Sequence, residues 1–127
     1  MNNQQRRQQQ MKKNVKPTIC QKLLWKGDEL RELKKYGQMK EHYEQSIARG
    51  NIRAMYEMGY YYQTIEKRYG LMEKYYSLAI KKGYSNAMYQ LGHHYQFIKK
   101  DYERAKKYYL SAIEKKLVRS GNKLKIL

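Results

Sequence analysis

The chain is poor in the residues that usually break, staple or carry a fold through chemistry. One cysteine, Cys20, excludes an intrachain disulfide and any cysteine-rich metal cage. One proline, Pro17, leaves everything after it free to run as helix. No stretch approaches the roughly 20 consecutive apolar residues that span a bilayer, and no apolar segment follows the basic N-terminus as a secretory signal requires. We therefore expect a soluble, intracellular, cytoplasmic protein. Acids are scarce as well, at 11 Asp+Glu against 28 Lys+Arg, and there is a single Phe beside 15 Tyr.

The resulting charge of +17 favours polyanions as partners. Its distribution tempers that reading. Residues 1–17 hold five basic and no acidic residues, residues 117–127 hold three more, and all the acids lie between. Lys outnumbers Arg by 20 to 8, which suits a solvated surface better than bidentate phosphate clamps. Residues 1–17 (MNNQQRRQQQMKKNVKP) have almost nothing to bury and are expected to be a disordered basic, Gln-rich tail.

What the chain does have is a period. Displaced by 33 residues, 50–82 matches 83–115 at 16 positions, among them Ala54/87, Met55/88, Tyr56/89, Gly59/92, Tyr62/95, Gln63/96, Tyr76/109 and Ala79/112. A further step of 33 aligns Tyr36, Met39, Tyr43, Ile47 and Gly50 with Tyr69, Met72, Tyr76, Ile80 and Gly83, and upstream of Tyr36 the match fades. A period of about 20–50 residues marks stacked repeats. Each unit reads as two antiparallel helices. The first, near 52–64 and 85–97, sets Met55, Met58, Gly59 and Tyr62, then Met88, Leu91, Gly92 and Tyr95, on one stripe. The second, near 70–82 and 103–116, carries Met72, Tyr75, Tyr76, Ala79 and Ile80, then Ala105, Tyr108, Tyr109, Ala112 and Ile113. Glycine inside a helix costs about 1 kcal/mol, so Gly59 and Gly92 imply close approach of a neighbouring helix. Gly50 and Gly83 follow second helices, where a C′ residue with positive φ is wanted, and Asp101 offers an N-cap.

The expected fold is all-α, with units at about 18–49, 50–82 and 83–116. In the partial first unit Leu23, Leu24 and Trp25 would cap the core, and Asp28 with Leu30 and Leu33 offers the start of a separate helix. Lys116 stands where the glycine of earlier units falls, and 117–127 would be a cap, the stub of a further helix or a tail.

These residues resemble Sel-one-like repeats, a branch of the tetratricopeptide-repeat superfamily found in bacteria and in large DNA viruses of protists. The family pattern A-x-x-x-L-G-x-x-Y is met by Ala54, Met58, Gly59 and Tyr62 and by Ala87, Leu91, Gly92 and Tyr95. Its second half, K-A-x-x-W/Y-Y-x-x-A-A-x-x-G, is echoed by Met72, Tyr75, Tyr76, Ala79, Ile80, Lys82 and Gly83 and by Arg104, Ala105, Tyr108, Tyr109, Ala112 and Ile113. The resemblance covers about 36–116. It departs from the family in lacking the usual Gly-x-Gly-Val insert and the cysteines of one disulfide-rich branch. It implies a right-handed α-solenoid that acts as a non-enzymatic scaffold and holds a peptide or partner domain on its concave face. Carried onto this register, the concave positions are Arg53, Tyr56, Tyr60 and Gln63, then Asn86, Tyr89, His93, Gln96 and Phe97.

No catalytic residue, cofactor or metal is expected. The chain has no nucleophile-elbow serine and no phosphate-cradling Gly-rich loop, and Glu57 and Glu73 read as isolated surface acids. His93 and His94 point about 100° apart on a helix and lack an i+4 ligand. His42 falls where Tyr75 and Tyr108 do and reads as packing. The alternative function is RNA or DNA binding by the tails and the last repeat, with Lys99, Lys100, Arg104, Lys106 and Lys107 as polyanion contacts beside exposed tyrosines. A third is self-association: so few repeats are expected to be marginally stable alone, as a homodimer or with a held partner.

Overall fold

The computed structural model describes residues 2–6, 16–119 and 121, and among them every regular element is a helix. Six helices follow one another: α1 (Ile19–Glu32), α2 (Tyr36–Ala48), α3 (Ile52–Thr64), α4 (Tyr69–Lys81), α5 (Ser85–Phe97) and α6 (Tyr102–Arg119). They form two compact bodies that part between Asn51 and Ile52. The N-terminal body is the hairpin α1–α2; the C-terminal body is the hairpins α3–α4 and α5–α6, with α5 also packed on α4. The sequence period thus appears as three helical hairpins. In the tail, expected to be disordered over 1–17, residues 3–6 make one exposed helical turn, capped by Asn2 Oδ1 accepting from the Gln5 amide (2.8 Å), and residues 16–17 have no regular structure; residues 1 and 7–15 lie outside those described.

One contact repeats in all three hairpins and explains the glycine within each first helix. A tyrosine of the second helix lays its ring where the Cβ of a first-helix residue would be: Tyr43 over Gly27, Tyr76 over Gly59, Tyr109 over Gly92. Each hydroxyl then reaches back to the first helix, donating to Asp28 Oδ1 (2.6 Å), Gln63 Oε1 (2.6 Å) and Gln96 Oε1 (2.7 Å) respectively. Around this pivot lie the buried Met39, Met58, Met72, Ala79, Ala87 and Leu91. Ser46, which stands where Ala79 and Ala112 fall, is fully buried and donates to the Cys20 carbonyl (2.9 Å), tying α2 to α1.

The first unit is more complete than its sequence suggests. Its first helix is unbroken from Ile19, started by a Thr18–Gln21 capping box. Asp28 does not begin a helix of its own; its carboxylate serves Tyr43. Leu24 and Leu30 are buried, Leu23 is half-buried and Trp25 is exposed.

Turns recur as regularly as helices do. Between hairpins, Gly50 and Gly83 have φ of +86° and +82°, and each donates its amide to the third residue back (both 2.8 Å). Asp101 caps α6 through the Arg104 amide (3.2 Å), as expected. At the end of the last repeat, α6 runs past Lys116, and the left-handed glycine comes instead at Gly121 (φ +82°). Leu124, Ile126 and Leu127 lie outside the described residues.

Within hairpins the turn residue is a lysine. Lys34, Lys67 and Lys100 have φ of 57°, 55° and 53°, in the left-handed region that costs an L-residue about 1 kcal/mol. The following residue closes each turn by donating to the carbonyl of Leu30, Tyr62 or Tyr95 (2.9, 2.9 and 2.8 Å). Lys67→Gly and Lys100→Gly are therefore expected to raise stability by about 0.5–1 kcal/mol, read as a higher urea midpoint with unchanged slope. A lower midpoint would show that the lysine side chains hold the turn.

Candidate functional site

All the residues expected on the binding face belong to α3, α5 and the C-terminal body, but they do not form one surface. On α3, Tyr56 is half-buried in a tyrosine cluster. Its ring stacks on Tyr84 (centroids 5.2 Å apart, planes at 8°) and lies 5.7 Å from Tyr76 and 6.1 Å from Tyr60. Burial raises the Tyr56 hydroxyl pKa, and a hydrogen bond with Gln90 partly offsets this. Tyr60 is exposed. Gln63 is half-buried, and its carbonyl oxygen already accepts from Tyr76. Arg53 pairs with Glu57 (3.5 Å) and lines a separate cleft of about 370 Å³ with Asn86, Lys82, Tyr84 and Arg119.

Glu57 departs from its reading as an isolated surface acid, being only 6 % exposed. Glu73 does so too, since it accepts the Tyr95 hydroxyl (3.0 Å) and ties α5 to α4. His42 is half-buried, with Nδ1 at 2.8 Å from the Gln38 carbonyl of its own helix.

The residues of α5 converge. Tyr89, His93, Gln96 and Phe97 make one wall of a groove of about 580 Å³, and Tyr109, Ala112, Ile113 and Lys116 of α6 make the other. Four of the five binding positions expected in this repeat therefore meet in one hollow; Asn86 lies apart. The floor is built: Tyr109 crosses Gly92, its hydroxyl held by Gln96, with the Tyr89 ring 5.5 Å away and His93 against Phe97 at 4.6 Å. The rim is apolar and open, with Tyr89, Phe97 and Ile113 each about half exposed. Sequence periodicity missed the α6 wall, because Ile113 and Ala112 read as core; in the preceding hairpin, their counterparts Ile80 and Ala79 are more deeply buried.

Of the five residues expected to contact a polyanion, Arg104 and Lys107 share a shallow hollow of about 360 Å³ with Tyr95, Tyr108 and Ser111. There Tyr95 stacks on Tyr108 (5.6 Å, 6°), and the Arg104 guanidinium sits 5.6 Å above the Tyr95 ring. Lys106 lines a different hollow, and Lys99 and Lys100 are exposed at the α5–α6 turn. No group of three or more His, Cys, Asp or Glu is placed to hold a metal ion, and no helix is long and apolar enough to cross a membrane, among the described residues. Compared with known proteins, the chain matches no family model, no curated protein and no solved structure.

Proposed function

We propose that the chain is a non-enzymatic interaction module of tetratricopeptide type, its hairpins stacking as a short right-handed solenoid, and that it holds a protein or peptide partner in the α5–α6 groove. The observation that carries this is the meeting of Tyr89, His93, Gln96 and Phe97 with the exposed Ile113 around one apolar hollow. Exposed aromatic side chains on a braced floor are what a binding surface uses: large contact area at small rotamer cost, with a hydroxyl or amide to orient the ligand.

Peptides selected from a displayed random library on the purified protein should bind there. Phe97→Ala with Ile113→Glu, both at exposed positions, is expected to weaken them at least tenfold, about 1.4 kcal/mol. Raising salt to about 0.5 M should weaken binding by no more than a few-fold, because apolar burial is not screened and only the charges around the groove are. Selected ligands indifferent to the double substitution would refute the reading. Tyr56→Ala is a poor probe, since Tyr56 is held within the core cluster.

A second reading, single-stranded nucleic acid, is favoured by the Arg104–Tyr95–Tyr108 stack with Lys107 beside it. It predicts binding that falls steeply and log-linearly with salt and is weakened by Arg104→Ala and Lys107→Ala while Phe97→Ala leaves it unchanged.

A further inference from the structure

The α5–α6 groove has a counterpart inside the same body whose occupant is known. Moved back by one 33-residue period, Tyr89, Tyr109, Ala112 and Ile113 become Tyr56, Tyr76, Ala79 and Ile80, the corresponding wall of hairpin α3–α4. That wall is covered by α5 and the residue before it. Over it Tyr84 stacks flat on Tyr56; further along α4, His94 lies against Tyr69 (4.8 Å) and Tyr95 donates to Glu73, whose counterparts Tyr102 and Lys106 line the adjoining hollow on α6. Tyr84, Ala87, Leu91 and His94 are spaced i, i+3, i+7, i+10, so they share one side of the helix; Ala87, Leu91 and His94 are buried.

The base of the two grooves is the same. Tyr89 and Tyr109 stand 5.5 Å apart where Tyr56 and Tyr76 stand 5.7 Å apart. The difference is above it: Tyr56 is half-buried beneath Tyr84, whereas Tyr89 is 51 % exposed. The hollow therefore has the shape of a helix with an aromatic residue at its start, a small residue one turn later and a leucine one turn beyond that.

Charge selects among helices that meet this shape. Lys116 stands in the wall and no acidic side chain does; Lys99 and Lys100 come two and three residues after Phe97. A second copy of the chain would bring another +17, and residues 122–127 bring Lys123 and Lys125 without an acid. We propose, resting on the binding reading above, that the groove takes an amphipathic helix of a partner protein. Its apolar stripe follows the Tyr84–Ala87–Leu91 spacing and its outer face is acidic, so that it docks as the next helix of the stack.

The probe is a stapled peptide of about fourteen residues, since unsupported helices of that length are marginal in water. It carries Tyr, Ala, Leu and Tyr at the first, fourth, eighth and eleventh positions and Glu and Ala elsewhere, and binding to the full chain is read by fluorescence anisotropy. Replacing its first Tyr by Ala should weaken binding about tenfold. Replacing its Glu residues by Lys should do the same at low salt, and Ile113→Glu in the protein should abolish binding. Sedimentation at increasing concentration should show no dimer competing for the groove, and removal of residues 122–127 should leave the affinity within about twofold. A peptide that fails to bind, or binds equally well to the Ile113→Glu protein, overturns the proposal. So does a dimer dispersed by Ile113→Glu, or a large gain in affinity on truncation, which would make a second copy or the chain's own segment the occupant. If library-selected ligands occupy the groove as extended peptides, the binding reading stands and the helical partner does not.

Discussion

Gly59→Ala is expected to lower the stability of the C-terminal body by about 2 kcal/mol, although alanine at an ordinary helical glycine raises it by up to about 1 kcal/mol. A Cβ at residue 59 would fall 2.4 and 2.6 Å from Cδ1 and Cε1 of Tyr76. That ring has nowhere to go: Tyr76 is fully buried, and its hydroxyl is held at 2.6 Å by Gln63. Forcing one extra carbon into such a site costs about 1–3 kcal/mol, which outweighs the backbone entropy gained. Gly92→Ala should cost about half as much, because Tyr109 is only half-buried and borders an open groove into which it can shift. Gly70→Ala is the control, with nothing within 4 Å of the added carbon, and should stabilise by about 0.5–1 kcal/mol. Thermal unfolding separates the three, since 1 kcal/mol moves the midpoint of a domain of 60–100 residues by about 4–8 °C. Equal effects at 59 and 70 would mean that the ring-over-glycine contact does not hold the hairpins together.

The same contact shows what sequence alone discloses. The bounds of α3 and α5 follow from the recurrence of Ala, Met, Gly and Tyr at fixed spacing, because a helix that buries one stripe must repeat it. Gly59 and Gly92 pointed to close approach because nothing else offsets glycine's cost in a helix. The first hairpin was hidden by one residue. Gly27 and Tyr43 are 16 apart where Gly59 and Tyr76, and Gly92 and Tyr109, are 17 apart, so a shift of 33 cannot align both halves of the first unit with the second. The shorter turn at Lys34 accounts for it.

Polar partners were less legible, because a residue type does not say which of its atoms is already engaged. Gln63 and Gln96 look like ligand-gripping amides in the repeat, yet their carbonyl oxygens complete the tyrosine pivots, leaving only their NH2 groups to meet a ligand. Glu57 looks like a surface acid, yet it is buried beside Arg53. The groove wall on α6 was invisible for a different reason. Ile113 matches Ile80 in the repeat, and only the presence of a covering helix over one and not the other separates a packed position from an exposed groove wall.

His94 tests how a repeat position adapts when its partner changes. Its counterpart one period earlier is Tyr61, buried, whose hydroxyl donates to Glu66 Oε1 at 2.8 Å. Where that repeat has Glu66, the next has Lys99, so a hydroxyl at residue 94 would lose its acceptor. His94 is 1 % exposed, and neither of its ring nitrogens has a hydrogen-bond partner. Burial lowers its pKa below the usual imidazole value; the nearby Glu73 opposes this, and Lys99 and His93 reinforce it. Tyr69 and Tyr95 supply rings rather than charges. The folded chain therefore binds fewer protons at this site than the unfolded chain, which titrates near pH 6.5. Stability falls as pH drops below about 6.5 and is insensitive to this residue above about pH 7.5. His94→Phe, which removes the unpaired nitrogens and keeps a ring between Tyr69 and Tyr95, should stabilise by about 1–3 kcal/mol at pH 7.5. The gap between variant and parent should widen toward pH 5. His94→Leu, a smaller apolar side chain, should show the same widening even if lost packing cancels the gain at pH 7.5. Urea unfolding at pH 7.5, 6 and 5 reads both; parallel pH profiles for parent and variants would mean that the His94 ring is hydrated or paired in solution.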